Sequence, residues 1–140
     1  MRVDKLTTKF RESLQEAQSL ALAADHAYIE PPHLVLAMLD QADGPKSLLQ
    51  RAGVRTDALR QAARELQGKL PQVQGQEQVQ VGRDLVSLLQ ASEKEGLKRD
   101  DAFIASELFF LALCDHKGDM AKAARECGLA RKSLELAIDA

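Results

Sequence analysis

The sequence contains one helical phrase twice: IASELFFLALCD occupies residues 104–115 and IEPPHLVLAMLD occupies residues 29–40. The two stretches are 75 positions apart (104 minus 29), and the same offset aligns other residues on either side without a gap. The aligned identities include Leu14 with Leu89, Asp25 with Asp100, Gly53 with Gly128 and Leu59 with Leu134. A fixed offset kept over such a length indicates a duplicated supersecondary unit. We therefore predict two similar half-domains that pack on each other.

Apolar periodicity and helix-end signals predict four helices in the first copy. Thr7 or Thr8 can cap a first helix that reaches about residue 24. The pair Pro31 and Pro32 suits the first turn of a second helix, since a proline there gives up only an N–H that would be unpaired anyway. Gly53 favours the left-handed conformation just past a third helix, and a fourth runs from residue 56 to before residue 71.

The offset transfers this plan to the second copy. It predicts helices near residues 82–97, 106–114, 119–127 and 131–139, with Ser106 as an N-cap and Gly128 as the counterpart of Gly53. The predicted fold is therefore all-α, with eight helices arranged as two tandem pseudo-symmetric four-helix repeats. We predict a single domain over residues 1–140, with repeat one at about 4–70, a linker at 71–80 and repeat two at about 81–140. The stretch GKLPQVQGQEQVQ (68–80) is polar and aperiodic, which predicts a mobile loop.

Composition and charge exclude several functional classes. Lys and Arg total 19 and Asp and Glu total 21, a net charge of -2, so nothing favours a nucleic-acid or membrane partner. Charges interrupt the start of the chain, and no long apolar run follows, so we expect a cytoplasmic protein. Cys114 and Cys127 match neither a redox motif nor a disulfide framework, which predicts two buried thiols in a reducing compartment.

The motifs of enzymes and metal sites are absent from the sequence. GPKS (44–47) lacks the preceding glycine and strand of a phosphate loop, and no hydrolase, zincin or EF-hand pattern occurs. We expect His26 and His116 to be solvated beside their aspartates and His33 to be a hydrogen-bonded structural residue. A zinc site combining His33 or His116 with the two cysteines is disfavoured, because no short-spaced ligand pair would nucleate it. These observations favour a binding or scaffolding module.

Residues 108–113 are apolar around the whole helix, and residues 34–39 in the central helix of the first copy are nearly as apolar. Such helices are buried on every face or leave some apolar surface exposed. We expect most of these side chains to form the core, with an apolar groove where the half-domains meet. The carboxylates of Asp100, Asp101 and Glu107 gather at one helix start, where compensation of the helix dipole is the simplest explanation.

Three stretches carry a family resemblance: MRVDKLTTKFRESLQEAQSLALAADHAYIEPPHL at the start, LPQV in the linker, and DDAFIASELFFLAL at 100–113. Together they resemble the amino-terminal domain of the ClpB family of bacterial disaggregases, over essentially the whole chain. The related ClpA and ClpC families carry the same doubled domain but begin the central helix with a Gly-Thr-Glu-His type of sequence instead of Glu-Pro-Pro-His.

The resemblance implies a client-binding domain tethered above a hexameric AAA+ ring. Such a domain engages unfolded or aggregated client proteins, and the ring of the same chain threads them together with the DnaK system. ATP and magnesium act in the downstream modules, so we expect no cofactor and no enzymatic activity in this domain, and a monomer when it is isolated. An adaptor-docking domain of a Clp protease unfoldase is the alternative, and an independent enzyme is a distant third.

The resemblance also implies the site residues. Polar groups matching Thr7, Asp101 and Glu107 handle clients in the family, and Leu89 and Leu108 would line the apolar groove. Two further groove positions, apolar in the family, are Ala91 and Glu95 here, which implies a narrower or more polar groove at that end.

Overall fold

The computed structural model describes residues 3–75 and 77–140. Within them the chain forms α1 (Thr8–Ala23), α2 (Pro31–Asp40), α3 (Lys46–Arg51), α4 (Thr56–Gly68), α5 (Arg83–Lys98), α6 (Ser106–Asp115), α7 (Asp119–Glu126) and α8 (Arg131–Asp139). A 3₁₀ turn covers Val3–Lys5, and two short strands are β1 (Tyr28–Ile29) and β2 (Gln80–Val81). The predicted all-α fold of eight helices is confirmed, whereas the 3₁₀ turn and the strands were not predicted.

The helix ends follow the sequence signals with one exception. Thr7 caps α1, since its Oγ1 accepts a hydrogen bond from the Phe10 amide at 3.2 Å, and α2 begins with the two prolines. The prediction that Ser106 caps α6 is wrong. Ala105 takes the extended N-cap conformation, and Ser106 is the first helical residue, with a buried hydroxyl that has no hydrogen-bond partner. A serine one position inside the helix cannot reach the amides that an N-cap side chain satisfies.

The duplication extends to unusual backbone conformations. Asp25 and Asp100 both adopt positive φ, at 60° and 56°, in the turn after the first helix of each repeat. Aspartate is among the few residues that adopt this conformation readily. Gly53 and Gly128 also have positive φ, at 92° and 104°, as predicted. The two repeats therefore share turns as well as helices.

The repeats exchange equivalent contacts, which gives the domain a pseudo-twofold axis. The Thr7 amide donates to the Ile104 carbonyl at 3.1 Å, and the Gly82 amide donates to the Ile29 carbonyl at 2.9 Å. Adding 75 to residues 7 and 29 gives residues 82 and 104, so these two bonds are the same bond seen from either repeat. A reciprocal contact of this kind is the signature of twofold symmetry.

The two central helices form the core. α2 and α6 are buried along almost their whole length; α1 packs on α2, α5 packs on α6, and α4 packs on both α2 and α7. The Phe109 ring meets the rings of Phe10 and Phe110 edge-on, at centroid distances of 6.4 and 5.4 Å. Because α1 and α5 each pack mainly on their own central helix, their outer faces are left to face each other across the pseudo-twofold axis.

The linker is held at both ends by the α1–α2 connection. The Val73 amide donates to the Asp25 carbonyl at 2.6 Å, Gln72 forms an isolated bridge with His26, and β2 pairs in parallel with β1. Composition alone predicted a mobile loop over residues 68–80; Gly68 ends α4, and residues 69–75 and 77–80 contain no helix. The paired ends were missed because two-residue strands have too few positions for a readable alternation. Gln76 lies outside the described residues.

None of the helices described is both long enough and apolar enough to cross a lipid bilayer.

Candidate functional site: an apolar groove between the repeats

A groove of about 370 Å³ lies between the outer faces of α1 and α5. Among the residues that the structure describes, its lining is mainly apolar, with one charged side chain and three amides. The lining residues are Val3, Leu6, Arg11, Leu14, Gln15, Gln18, Ile29, Val81, Val86, Leu89 and Gln90.

The floor and the rim of this groove differ in exposure. Leu6 and Ile29 are buried and form the floor together with Leu89, which is 8% exposed. On the rim, Val3 is 60% exposed, and Val81 (41%) and Val86 (40%) are also open to solvent. Exposed aliphatic side chains that converge on one concavity are typical of a binding surface, whereas scattered ones need no explanation.

The groove is built from the same positions of both repeats. α1 contributes Leu14 and Gln15, and α5 contributes their counterparts Leu89 and Gln90 at the 75-residue offset. The segments preceding these helices contribute a second matched pair, Leu6 and Val81. The groove therefore lies across the pseudo-twofold axis, between the first helices of the two repeats and not between the central helices.

The two leucines named from the resemblance lie at different depths. Leu89 is part of the groove floor, so a bound apolar chain would touch it. Leu108 is 2% exposed and packs beneath α5, where its Cδ1 would lie 3.4 Å from a Cβ placed on Gly96. In this conformation a client would reach Leu108 only if α5 and α6 separated. Its role in binding stays a prediction.

The three polar residues lie around the junction of Leu6 and Thr7 with Ile104. Thr7 and Glu107 are half-buried and line one shallow depression beside the groove. Asp101 is exposed in the turn before α6, with Oδ2 3.8 Å from the Arg99 Nε. Thr7 follows the groove residue Leu6 directly in the chain, but none of these three polar residues lines the groove. Their role in client handling stays a prediction.

Glu95 occupies a position where the family suggested a groove residue, but it faces the other side of α5. It is buried and bonded through both carboxylate oxygens to Arg131 of α8, at 3.2 and 2.6 Å. The hydrogen bond to Glu95 is the main reason that the pKa of Arg131 is raised. Glu95 therefore joins α5 to α8, and Ala91 is only half-buried beside the core.

A buried histidine pair fixes the start of α2. The Glu30 amide donates to the Nδ1 of His33 at 2.8 Å, so the Nε2 of His33 must carry the proton that it shares with the Nδ1 of His26, also at 2.8 Å. The structural role predicted for His33 is confirmed, but the prediction of a solvated His26 is wrong, because His33 holds that ring in the interior. Burial lowers the pKa of His26 and, with the charge of His26 as a second cause, lowers the pKa of His33 to about 4.

The cysteines and the possible metal ligands lie apart. Cys114 and Cys127 are buried and unpaired, as predicted, and burial raises the pKa of the Cys114 thiol to about 11. His116 is half-buried and accepts a hydrogen bond from the Gly118 amide at 3.1 Å. In residues 3–75 and 77–140, no three His, Cys, Asp or Glu side chains come together in a way that could hold a metal ion.

Sequence reasoning missed most of the groove lining, including Val3, Ile29 and Val86 on the floor and rim. One signal was available: applying the 75-residue offset to Leu89 gives Leu14, which faces it across the groove. The contribution of Val3 had no such signal, because it depends on where a short non-helical segment packs.

Comparisons with known proteins agree with the fold and with its duplication. Residues 5–127 match the family described as Clp repeat (R) N-terminal domain. The chaperone protein ClpB of Vibrio cholerae is 41% identical over 141 residues, an alignment that covers 99% of this chain and 16% of that protein. The chain thus spans about one sixth of the length of this relative.

Solved structures share the same architecture. The Hsp104 N-terminal domain from Candida albicans superposes with a TM-score of 0.79 at 16% identity, over 95% of this chain and 88% of that one. A ClpV N-domain solved as a complex with a VipB peptide gives a TM-score of 0.74 at 24% identity, over 94% and 82%. At such identities the superpositions establish the fold.

Proposed function

This chain belongs to the Clp N-terminal domain family, as the amino-terminal domain of a chaperone of the ClpB and Hsp104 type, and we propose that its groove binds exposed apolar segments of unfolded or aggregated client proteins. The observation that carries the proposal is the concave apolar surface between α1 and α5, with a buried floor and three exposed valines on its rim. Unfolded and aggregated chains expose apolar side chains that folded proteins bury, so such a surface discriminates between them.

The energetics favour weak and reversible binding. Covering the rim and the floor gains on the order of 25 cal/mol per Å² of apolar surface, from which the lost freedom of the client must be subtracted. Several copies of the domain on one ring would raise the apparent affinity through their high local concentration. Weak binding at each single site also allows the client to dissociate from the groove.

In the full-length protein, the bound segment passes from this domain to the AAA+ ring of the same chain. ATP and magnesium act in that ring, which threads the client in cooperation with the DnaK system. The polar residues Thr7, Asp101 and Glu107 contact the client backbone or its polar side chains. These steps belong to the same proposal.

A second candidate is the docking of a defined partner or adaptor protein. The ClpV N-domain was solved with a VipB peptide, so a domain of this fold can take a particular partner sequence. Adaptor docking predicts a strong preference for one folded or short linear partner, whereas client binding predicts weak affinity for many unrelated unfolded chains. Titration with several unrelated unfolded proteins separates the two.

Amide chemical-shift mapping with a permanently unfolded model protein tests the groove. We expect shifts at the amides around Leu14, Val86 and Leu89. The V86D variant places a charge on the apolar rim and should weaken binding about ten-fold, because that charge loses water when the client covers it. Leu136 of α8 is 67% exposed and lies outside the groove, so L136D is the matched control and should bind like wild type.

Two results would contradict this assignment. Equal weakening by V86D and L136D would show that general surface charge, and not the groove, controls binding. Shifts confined to the surroundings of Thr7, Asp101 and Glu107 would move the site to the polar depression.

A further inference from the structure

The centre of the groove has matched walls from the two repeats, and one charged side chain lies on only one of them. Leu14 and Gln15 face their counterparts Leu89 and Gln90, but the counterpart of Arg11 on α1 is Val86 on α5. Arg11 is the only charged residue in the lining among the residues that the structure describes. An apolar segment would find similar contacts at the matched central positions in either direction, whereas Arg11 and Val86 differ in charge. Val3, Gln18 and Ile29 also line the groove without their counterparts.

Arg11 is available to a ligand. Its side chain is exposed, and its Nη2 contacts only the Thr8 hydroxyl of its own helix, at a long 3.4 Å, in the bonding that the structure describes. The nearest acidic side chains of α1 point elsewhere: Glu12 and Glu16 line a separate depression with Asp40. Glu12 and Glu16 therefore lie on a different side of α1 from the groove, whereas Arg11 borders the groove.

We propose that Arg11 gives the groove a polarity, so that it prefers apolar segments flanked on one side by a carboxylate and binds them in one direction. This inference rests on the proposed function of the groove and specifies the chemistry of its ligand. The Arg11 guanidinium pairs with an Asp or Glu of the bound segment, while the apolar side chains cover Leu14, Leu89 and the rim. On the α5 wall the equivalent position is Val86, which favours contact with an apolar side chain of the bound segment.

The charge contributes selectivity more than strength. An exposed ion pair changes affinity by about two- to five-fold, and salt reduces the effect. Complementary charges at the rim of an interface mainly set orientation and partner choice. Because the groove lies across a pseudo-twofold axis, even a modest bias decides between two otherwise similar poses.

Binding of matched peptides measures the preference. The probes are three short apolar peptides with blocked ends: one has a single Glu at its amino-terminal end, one has it at its carboxy-terminal end, and one has Gln in its place. Fluorescence anisotropy should show one Glu peptide binding wild type about two- to five-fold more tightly than the Gln peptide at low salt. The difference should disappear in R11V, which gives both walls the same residue, and should shrink at high salt.

Orientation provides an independent readout. With a nitroxide on one end of the preferred peptide, amides on one side of the groove should broaden in wild type. In the double variant R11V/V86R the charge is moved to the opposite wall, and the broadening should move with it. R64V removes an exposed arginine of α4 outside the groove and should change neither affinity nor orientation.

The outcomes separate the two proposals. If the three peptides bind wild type equally, or if the preference survives in R11V, the polarity is overturned while apolar binding stands. Binding of the Gln peptide that is equal in wild type and R11V supports the groove itself. If no peptide perturbs the groove amides, the proposed function and the polarity both fail.

Discussion

The two repeats have the same backbone plan, but they stabilise equivalent positions by different means. In the first repeat, α2 begins with two prolines, and His33 bonds both the Glu30 amide and His26. In the second, the counterpart of His33 is Leu108, an apolar side chain packed against α5. The duplication thus preserved shape and burial, while the chemistry that satisfies each buried position diverged.

The same contrast appears at the edge of the second repeat. Glu95 and Arg131 form an ion pair that joins α5 to α8, and their counterparts in the first repeat are Leu20 and Thr56. The first repeat manages without a charge pair at this place. The residue at a position in one repeat can therefore be replaced by its counterpart from the other repeat. The stability of each such variant shows whether local side-chain contacts or the shared backbone fold stabilise that position.

The largest expected effect comes from breaking the ion pair. R131T imports the residue of the first repeat and leaves the buried Glu95 carboxylate without its main partner. We expect the free energy of unfolding to fall by about 2–4 kcal/mol, since the buried carboxylate then keeps only the exposed Lys98 Nζ, 3.8 Å away, as a cationic partner. Urea denaturation at pH 7 measures this change.

The double variant E95L/R131T is the matched control. It replaces both members of the pair by the residues of the first repeat and should recover most of the lost stability, because an apolar substitute leaves no buried charge. If the double variant is as unstable as R131T, then the contacts of Arg131 with the Leu111 carbonyl and with Asp115 carry the stability instead.

These exchanges also show what the sequence could predict. The helices and the glycine turns were predictable because they depend on periodicity and local backbone preference. The duplication also meant that each element could be predicted separately from two copies of the sequence. The groove was foreseen only as a meeting of half-domains. Its lining depends on how Val3 and Val81 pack beside α1 and α5, and no local pattern encodes such a contact.

The errors have a common physical origin. His26 looked solvated because it follows Asp25 near a helix end, and Ser106 looked like a cap because serine prefers that position. In both cases a tertiary contact or a one-residue shift decided the outcome: His33 draws His26 inward, and Ala105 takes the cap conformation. Local propensity predicts a residue's conformation and exposure poorly where tertiary contacts determine them.

An intermediate effect is expected from H33L, which imports the residue of the second repeat at the start of α2. The Glu30 amide and the His26 Nδ1 both lose their partner in a buried setting, so the free energy of unfolding at pH 7 should fall by about 1–3 kcal/mol. Denaturation of wild type and H33L under the same conditions gives this value.

The pH dependence distinguishes the lost hydrogen bonds from lost packing. The folded-state pKa of His33 is about 4, below its ordinary value of 6.5, so the unfolded chain takes up a proton first as pH falls. Wild-type stability should therefore be full above pH 6.5 and decline towards pH 4, by up to about 1.4 kcal/mol per pH unit. H33L should show a smaller slope in this window. An unchanged slope would mean that His33 does not titrate in this way.

The smallest effect should be a gain in stability. S106P imports Pro31 of the first repeat into the first position of α6, where proline is favoured and Ala105 already has the extended backbone that a following proline requires. The variant also removes a buried hydroxyl without a partner. We expect thermal denaturation to show a gain of about 0.4–1 kcal/mol, mainly from the stiffer unfolded chain, with S106A near wild type as the control. A loss of stability in S106P would show that the start of α6 requires serine. It would also show that the two central helices differ in backbone conformation as well as in side-chain chemistry.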